Sequence, residues 1–125
     1  MCIRDRKEAG FDLVYFGNFV DLGLYETQQE VNDLTWIFPE DAATRSFERL
    51  MDLAPDVDAY VVNGMPNFRR ANGITERMIA REVELEALVG KPIVSSDSAL
   101  YWRIFKTLGI SAVPPLGALH ATLKG

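Results

Sequence analysis

Two short polar turns hold the residues of this sequence best suited to chemistry, and each follows an apolar run. The first is Asn63-Gly64-Met65-Pro66-Asn67-Phe68-Arg69-Arg70 and the second is Ser95-Ser96-Asp97-Ser98. Gly64 lets the backbone approach a ligand closely. Pro66 removes one amide donor from the turn, and the Asn67 carboxamide is able to bond a carboxylate or cap the chain. In the second turn, N–H groups and the hydroxyls of Ser96 and Ser98 open a helix, and a helix start carries partial positive charge. These groups suit a small anion.

Each residue also has a plain reading. Ser96 or Asp97 is an ordinary N-cap, which alone explains a polar residue there. Met65 serves as an apolar pocket wall or as core packing. Arg69 and Arg70 are able to clamp a carboxylate in bidentate fashion, or else pair with local acids such as Glu76. Tyr15, Gly17 and Asn18 lie at the edge of the same site, where a tyrosine in a strand is ordinarily core. His120 is the sole histidine and lacks cysteine or carboxylate partners at ligand spacing, so no metal is expected. The chain shows no Ser/His/Asp pattern, no phosphate-binding glycine motif and no CxxC, and no cofactor is implied.

The elements that must position these turns follow from periodicity. Runs 13–16, 59–63 and 92–95 are almost continuously apolar, as strands buried in a parallel sheet are. A helix is expected after Pro39, where Glu40 and Asp41 favour its start and Phe47, Leu50 and Met51 face inward. A second helix over 74–89 buries Ile74, Met78, Ile79, Val83 and Leu85 and stops at Gly90. A third runs over 98–108, with Trp102, Phe105 and Leu108 on one face, and ends before Gly109. The long connection 17–38 leaves room for a short helix over 25–34. Strands alternating with helices imply an α/β fold, specifically a three-layer doubly wound parallel-sheet lobe.

With 125 residues, 48% of them hydrophobic, the chain is sized for one core. Its 18 acidic and 13 basic residues leave a net charge of −5, which argues against a nucleic-acid partner. No apolar run approaches the ~20 residues that span a bilayer, and no signal-peptide pattern is present, so a cytoplasmic protein without a membrane partner is expected. The first six residues, MCIRDR, read as a non-native read-through scar, which takes the sole cysteine, Cys2, with it. The single lobe is then 7–125.

The order of these motifs resembles the aspartate/glutamate racemase superfamily, especially its maleate isomerase and arylmalonate decarboxylase branches. There a strand enters a Ser-Cys-Thr-Asn-Leu-Arg-like turn, and then come a helix with a Leu-Glu pair, Gly-Lys-Pro, a strand and a Ser-Asn-Gln-Ala…Trp turn. Here Gly64 to Arg69, Leu85-Glu86, Gly90-Lys91-Pro92, Ser96-Asp97-Ser98-Ala99 and Trp102 fill those places. The resemblance covers residues 11–125 and only the second half of a typical member.

It implies one lobe of a two-lobed fold, an N-terminal lobe as partner, and a small carboxylate substrate bound between them. It also implies that Asn32, Gly64, Met65, Pro66, Asn67, Ser96, Asp97 and Ser98 line the substrate. The family cysteine is Met65 here. A thioether forms no thiolate, so this half has no catalytic residue of the family kind. A remaining cysteine would then lie in the other lobe, implying a one-sided isomerase or lyase step; a non-catalytic carboxylate binder is the alternative. Asp97 stands where the family has asparagine, and its charge repels an anion unless paired. The residues 116–123 resemble a terminal helix that packs on the other lobe. The chain itself is expected to lack activity and to associate through exposed apolar surface, with that lobe or as a homo-oligomer.

Overall fold

A computed structural model describes residues 3–64, 66–111 and 116–123, with side chains from residue 6 onward. The fold is mixed α/β. In chain order the elements are α1 (Ile3–Glu8), α2 (Gln28–Asp33), β1 (Ile37–Pro39), α3 (Glu40–Leu53), β2 (Tyr60–Val62), β3 (Asn67–Arg69), β4 (Thr75–Arg77), α4 (Met78–Val89), β5 (Ile93–Ser95), α5 (Ser96–Leu108) and α6 (Ala118–Ala121). The strands form two small sheets. In one, β1 runs parallel to β3, which pairs antiparallel with β4; in the other, β2 runs parallel to β5.

The second sheet answers the expected strands at 59–63 and 92–95. Its register sets Tyr60 beside Ile93 and Val62 beside Ser95, so both strands end together. The expected strand at 13–16 is not formed. Val14 and Phe16 are exposed there, so the run is apolar without being buried and has no sheet to join. Instead the ring of Phe16 lies under the guanidinium of Arg6, 5.9 Å away. The short helix expected in the long connection is present as α2, capped by the Thr27 hydroxyl, which accepts from the Glu30 N–H.

Helix α3 starts directly after Pro39 with Glu40 and Asp41 in its first turn. It buries Ala42, Ala43, Ser46 and Phe47, with Leu50 and Met51 half-buried against the core. Helix α4 ends at a left-handed Gly90 (φ 66°), whose N–H donates to the Glu86 carbonyl. Its start is four residues later than periodicity predicts. Residues 70–74 form a turn instead: the Arg70 N–H donates to the Ile74 carbonyl at 2.8 Å, and the Asn72 side chain accepts from the Ile74 N–H at 3.0 Å. This closes the β3–β4 hairpin, and Ile74 is exposed at its tip.

The buried face of α4 also differs from expectation. It comprises Met78, Arg81, Glu82, Leu85 and Val89, whereas Val83 is exposed. These positions keep helical spacing, so the face is rotated to bury two charged side chains. The core joins Phe38, Phe47, Tyr60, Phe68, Met78, Leu85 and Ile93 between α3, α4 and both sheets. Aromatic edges lock it: Phe19 meets Phe38 at 4.6 Å and Phe47 meets Tyr60 at 5.8 Å. Helix α5 ends at left-handed Gly109 as expected, but its Leu108 is exposed along with Leu100 and Ile104. Helix α6 packs on α5 and β5 of this same unit rather than away from them. No helix among the described residues is long and apolar enough to cross a membrane.

Candidate functional site

Because β2 and β5 are parallel and end in register, the turns that follow them emerge side by side. Ligands of open parallel sheets bind at such carboxyl ends. Gly64 sits in the first turn at φ +97°, a conformation that excludes most L-residues. Its N–H donates to the Ser96 hydroxyl at 3.1 Å, so the two sequence-predicted turns are joined directly.

A third wall comes from elsewhere. A Cβ added to Gly64 would lie 3.6 Å from Cζ3 of Trp36, so the indole stands over the turn, and Trp36 is 64% exposed. Trp36 and Thr35 both carry positive φ, 64° and 48°. Two consecutive non-glycine residues in that region are strained, Thr35 most of all because it is β-branched. The Trp36 carbonyl accepts the Asn67 N–H at 3.1 Å, with the Asn67 carboxamide at 3.5 Å, and this ties the strained turn to the start of β3.

The second turn is built by a cap. The N-cap of α5 is Ser95, one residue earlier than the sequence indicates: its hydroxyl accepts from the Ser98 N–H at 3.1 Å, while the Ser98 hydroxyl accepts from the Ser95 N–H at 2.9 Å. This reciprocal capping box occupies Ser98, which is fully buried. Ser96 is left half-buried at the rim, bound to Gly64. Asp97 is 1% exposed and its Oδ1 accepts from Nη1 of Arg77 at 3.2 Å, so the carboxylate is paired. Its Oδ2 meets no hydrogen-bond donor.

The remaining candidates separate. Pro66 is buried, and Met65 lies outside the described residues. Asn32 is exposed on α2, where its side-chain oxygen accepts from Gln28 at 3.0 Å. Arg70 is held by local acids, with Glu76 at 2.6 Å and Glu40 at 3.0 Å; the hydrogen bond to Glu76 raises its pKa further. Arg69 is exposed, and both arginines line a shallow hollow of about 520 Å³ with Asp33, Thr35 and Pro39. Tyr15 is half-buried in the irregular 13–16 segment, with Gly17 and Asn18 exposed beyond it. His120 is buried, its Nε2 3.0 Å from the Ser98 carbonyl and its ring edge-on to Phe105. No group of three or more His, Cys, Asp or Glu among the described residues is placed to hold a metal.

Beneath the cap lies Glu82 of α4, wholly buried, with neither carboxyl oxygen in hydrogen-bond geometry. Burial pushes its pKa up to about 7 although the nearby Ser95 and Ser98 groups pull it down, and Glu86 adds a further upward push. Arg77, Trp36 and Glu82 are absent from the residues singled out by the sequence. Only Arg77 had a local signal: Asn72-Gly73 is a strong hairpin marker, and the hairpin sets Arg77 opposite Asn67.

No family model matches the chain, and no curated protein or solved structure is significantly similar to it.

Proposed function

We propose that this chain carries one lobe of a two-lobed, doubly wound isomerase or lyase that acts on a small carboxylic acid without a cofactor. The observation that carries this reading is the 3.1 Å bond from the Gly64 N–H to Ser96, which makes one rim of the turns after β2 and β5. Around it stand Asn67, the α5 N-terminus and a cation, Arg77, all suited to an anionic ligand. With methionine at position 65, the proton at the substrate carbon is exchanged by a cysteine of an N-terminal lobe, and this lobe binds the carboxylate and stabilises the enolate-like charge.

Non-catalytic carboxylate binding is the second reading. The buried, ion-paired state of Asp97 favours it, since that carboxylate is committed to Arg77 and faces away from any ligand.

The deciding experiment is to sequence the gene upstream of Lys7 and assay the complete product on malonates and maleate-like diacids. A second α/β lobe with a cysteine after its matching strand, whose replacement by alanine abolishes turnover, supports the enzyme. A reading frame that begins at Met1, or a lobe lacking that cysteine, transfers the conclusion to binding.

A further inference from the structure

We infer that the cavity between the C-terminal half of α5 and the segment after α6 binds a small apolar monocarboxylate, anchored by the Lys106 ammonium. The cavity is separate from the turns after β2 and β5, and the inference does not depend on the reading given to them. It measures about 280 Å³. Small-molecule sites run from roughly 300 to 1,000 Å³, so this one suits a small ligand. Trp102, Phe105, Lys106 and Gly109 recur at helical spacing and form one wall, and Thr122 and Leu123 form the other. Two hydrogen bonds clamp the walls together. The indole N–H of Trp102 donates to the Thr122 hydroxyl at 2.9 Å, and the Ser111 hydroxyl donates to the Leu123 carbonyl at 3.4 Å. The cavity is therefore formed before a ligand arrives, which lowers the ordering cost of binding.

An accounting of donors sets the ligand class. The N–H groups of Gly109, Ile110, Thr122 and Leu123 donate to the carbonyls of Lys106, Phe105, Leu119 and His120 respectively. Those of Trp102, Phe105 and Lys106 lie within α5 and serve its own ladder. The Thr122 hydroxyl gives its proton to the Leu119 carbonyl at 2.7 Å. The open donor that remains is the Lys106 ammonium. Lys106 stands in the last turn of α5, where a cation also complements the helix end, but its ammonium is drawn back to 4.5 Å from the centre of the Trp102 ring. A cation over a ring face keeps its N–H donors for a further partner.

Among the described residues no acidic side chain lines the cavity, so none competes for Lys106 there. Trp102, Phe105, Ile110 and Leu123 offer apolar surface to the body of a ligand, and the rim supplies one positive charge. A dianion finds a single cation and no further donor, leaving charge uncompensated against apolar walls. A neutral apolar molecule leaves the ammonium unused. A monocarboxylate with a phenyl or branched alkyl body satisfies both parts.

The test is a titration of the full chain with 3-phenylpropionate, read from the indole N–H resonances of the two tryptophans. Trp102 reports this cavity and Trp36 reports the turn at Gly64, so binding at one is distinguished from binding at the other. The Trp102 resonance is expected to shift and saturate. Replacing the acid by 3-phenylpropionamide, or the native chain by K106M, should each weaken binding by about tenfold, the scale of one charge-assisted contact. In K106M the acid and the amide should bind alike. The variant keeps an apolar stem beside Trp102, and the Lys106 side chain is exposed with no other partner among the described residues, so the fold is retained. An amide that binds the native chain as tightly as the acid, or a K106M chain that holds the acid within about twofold, overturns the role of Lys106 and the ligand class with it. A Trp102 resonance that stays fixed as the acid is added overturns the site, whether or not Trp36 moves.

Discussion

Helix α4 faces two kinds of charged surroundings, and they are handled in opposite ways. On one side, Arg70 gathers Glu40, Glu76 and Glu84, and Arg81 bonds the Glu40 carbonyl at 2.7 Å and pairs with Glu84. Every charge there has a partner and most keep contact with water. On the other side, Glu82 is fully buried under the Ser95–Ser98 cap, close enough for Ser95 and Ser98 to pull its pKa down but outside good hydrogen-bond geometry, and two further buried polar atoms, Oδ2 of Asp97 and Nδ1 of His120, are also unmatched. Partnered surface charge is cheap to keep and adds little; orphaned buried polar groups are costly and persist when something else requires them. The costly cluster is the one beside the turn that opens α5. The difference marks the Arg70 network as scaffold and the Glu82–Ser95–Asp97 side as the place where stability has been given up.

The largest effect that would sharpen this contrast comes from Glu82→Gln. Burial raises the folded-state pKa to about 7, above its ordinary value of 4.5. Between those values the folded chain binds more protons than the unfolded one, so stability falls as pH rises through the window and the loss is complete above about 7. The upper bound on that loss is about 3 kcal/mol, at 1.36 kcal/mol per pKa unit. The glutamine variant keeps the shape and removes the titration. It should come close to the native chain in urea unfolding at pH 4, below both pKa values, and exceed it by up to about 3 kcal/mol at pH 8. A native chain as stable at pH 8 as at pH 5 breaks the contrast, because Glu82 would then be partnered after all.

The same side of the molecule shows what was legible in the sequence. Strands β2 and β5, helix α3 and the glycine stops of α4 and α5 were readable because their signals are local: apolar runs, first-turn acids and left-handed glycines. The run at 13–16 carried the same signal and failed, since an apolar run becomes a strand only where a sheet edge receives it. The face of α4 was misplaced because Arg81 and Glu82 are buried, and a binary pattern assigns charged residues to water. At the site, Gly64 and Ser96 were recognisable as turn residues. Arg77 was reachable only through the Asn72-Gly73 hairpin marker and its register, whereas Trp36 arrives through a strained left-handed turn that has no such local signal.

Ser95→Ala probes the costly cluster by a second route, with a smaller effect. It removes the cap that accepts the Ser98 N–H at 3.1 Å and should cost about 1–2 kcal/mol in unfolding experiments at pH 5. The Ser95 groups also pull the Glu82 pKa down, so losing the hydroxyl raises that pKa. The pH at which stability finishes falling should therefore move upward relative to the native chain. A loss of stability with no movement of that pH would mean that the cap and the buried carboxyl are independent.

Arg70→Met tests the scaffold side and should have the smallest effect of the three. The substitution leaves Glu40, Glu76 and Glu84 close together, but each is partly exposed and Arg81 still pairs with Glu84. The Glu40 carboxylate also keeps its bond from the Ala71 N–H at 3.3 Å, so the hairpin remains anchored to α3 without the guanidinium. What is lost is attraction between groups that water and salt already screen. The native chain and the variant should therefore differ modestly at low salt and converge as sodium chloride is raised, whereas the Glu82→Gln difference persists because its cause is burial. A loss on Arg70→Met that exceeds the cost of Ser95→Ala and survives high salt would reverse the assignment, making the paired network the strained part of α4 and the buried carboxyl the incidental one.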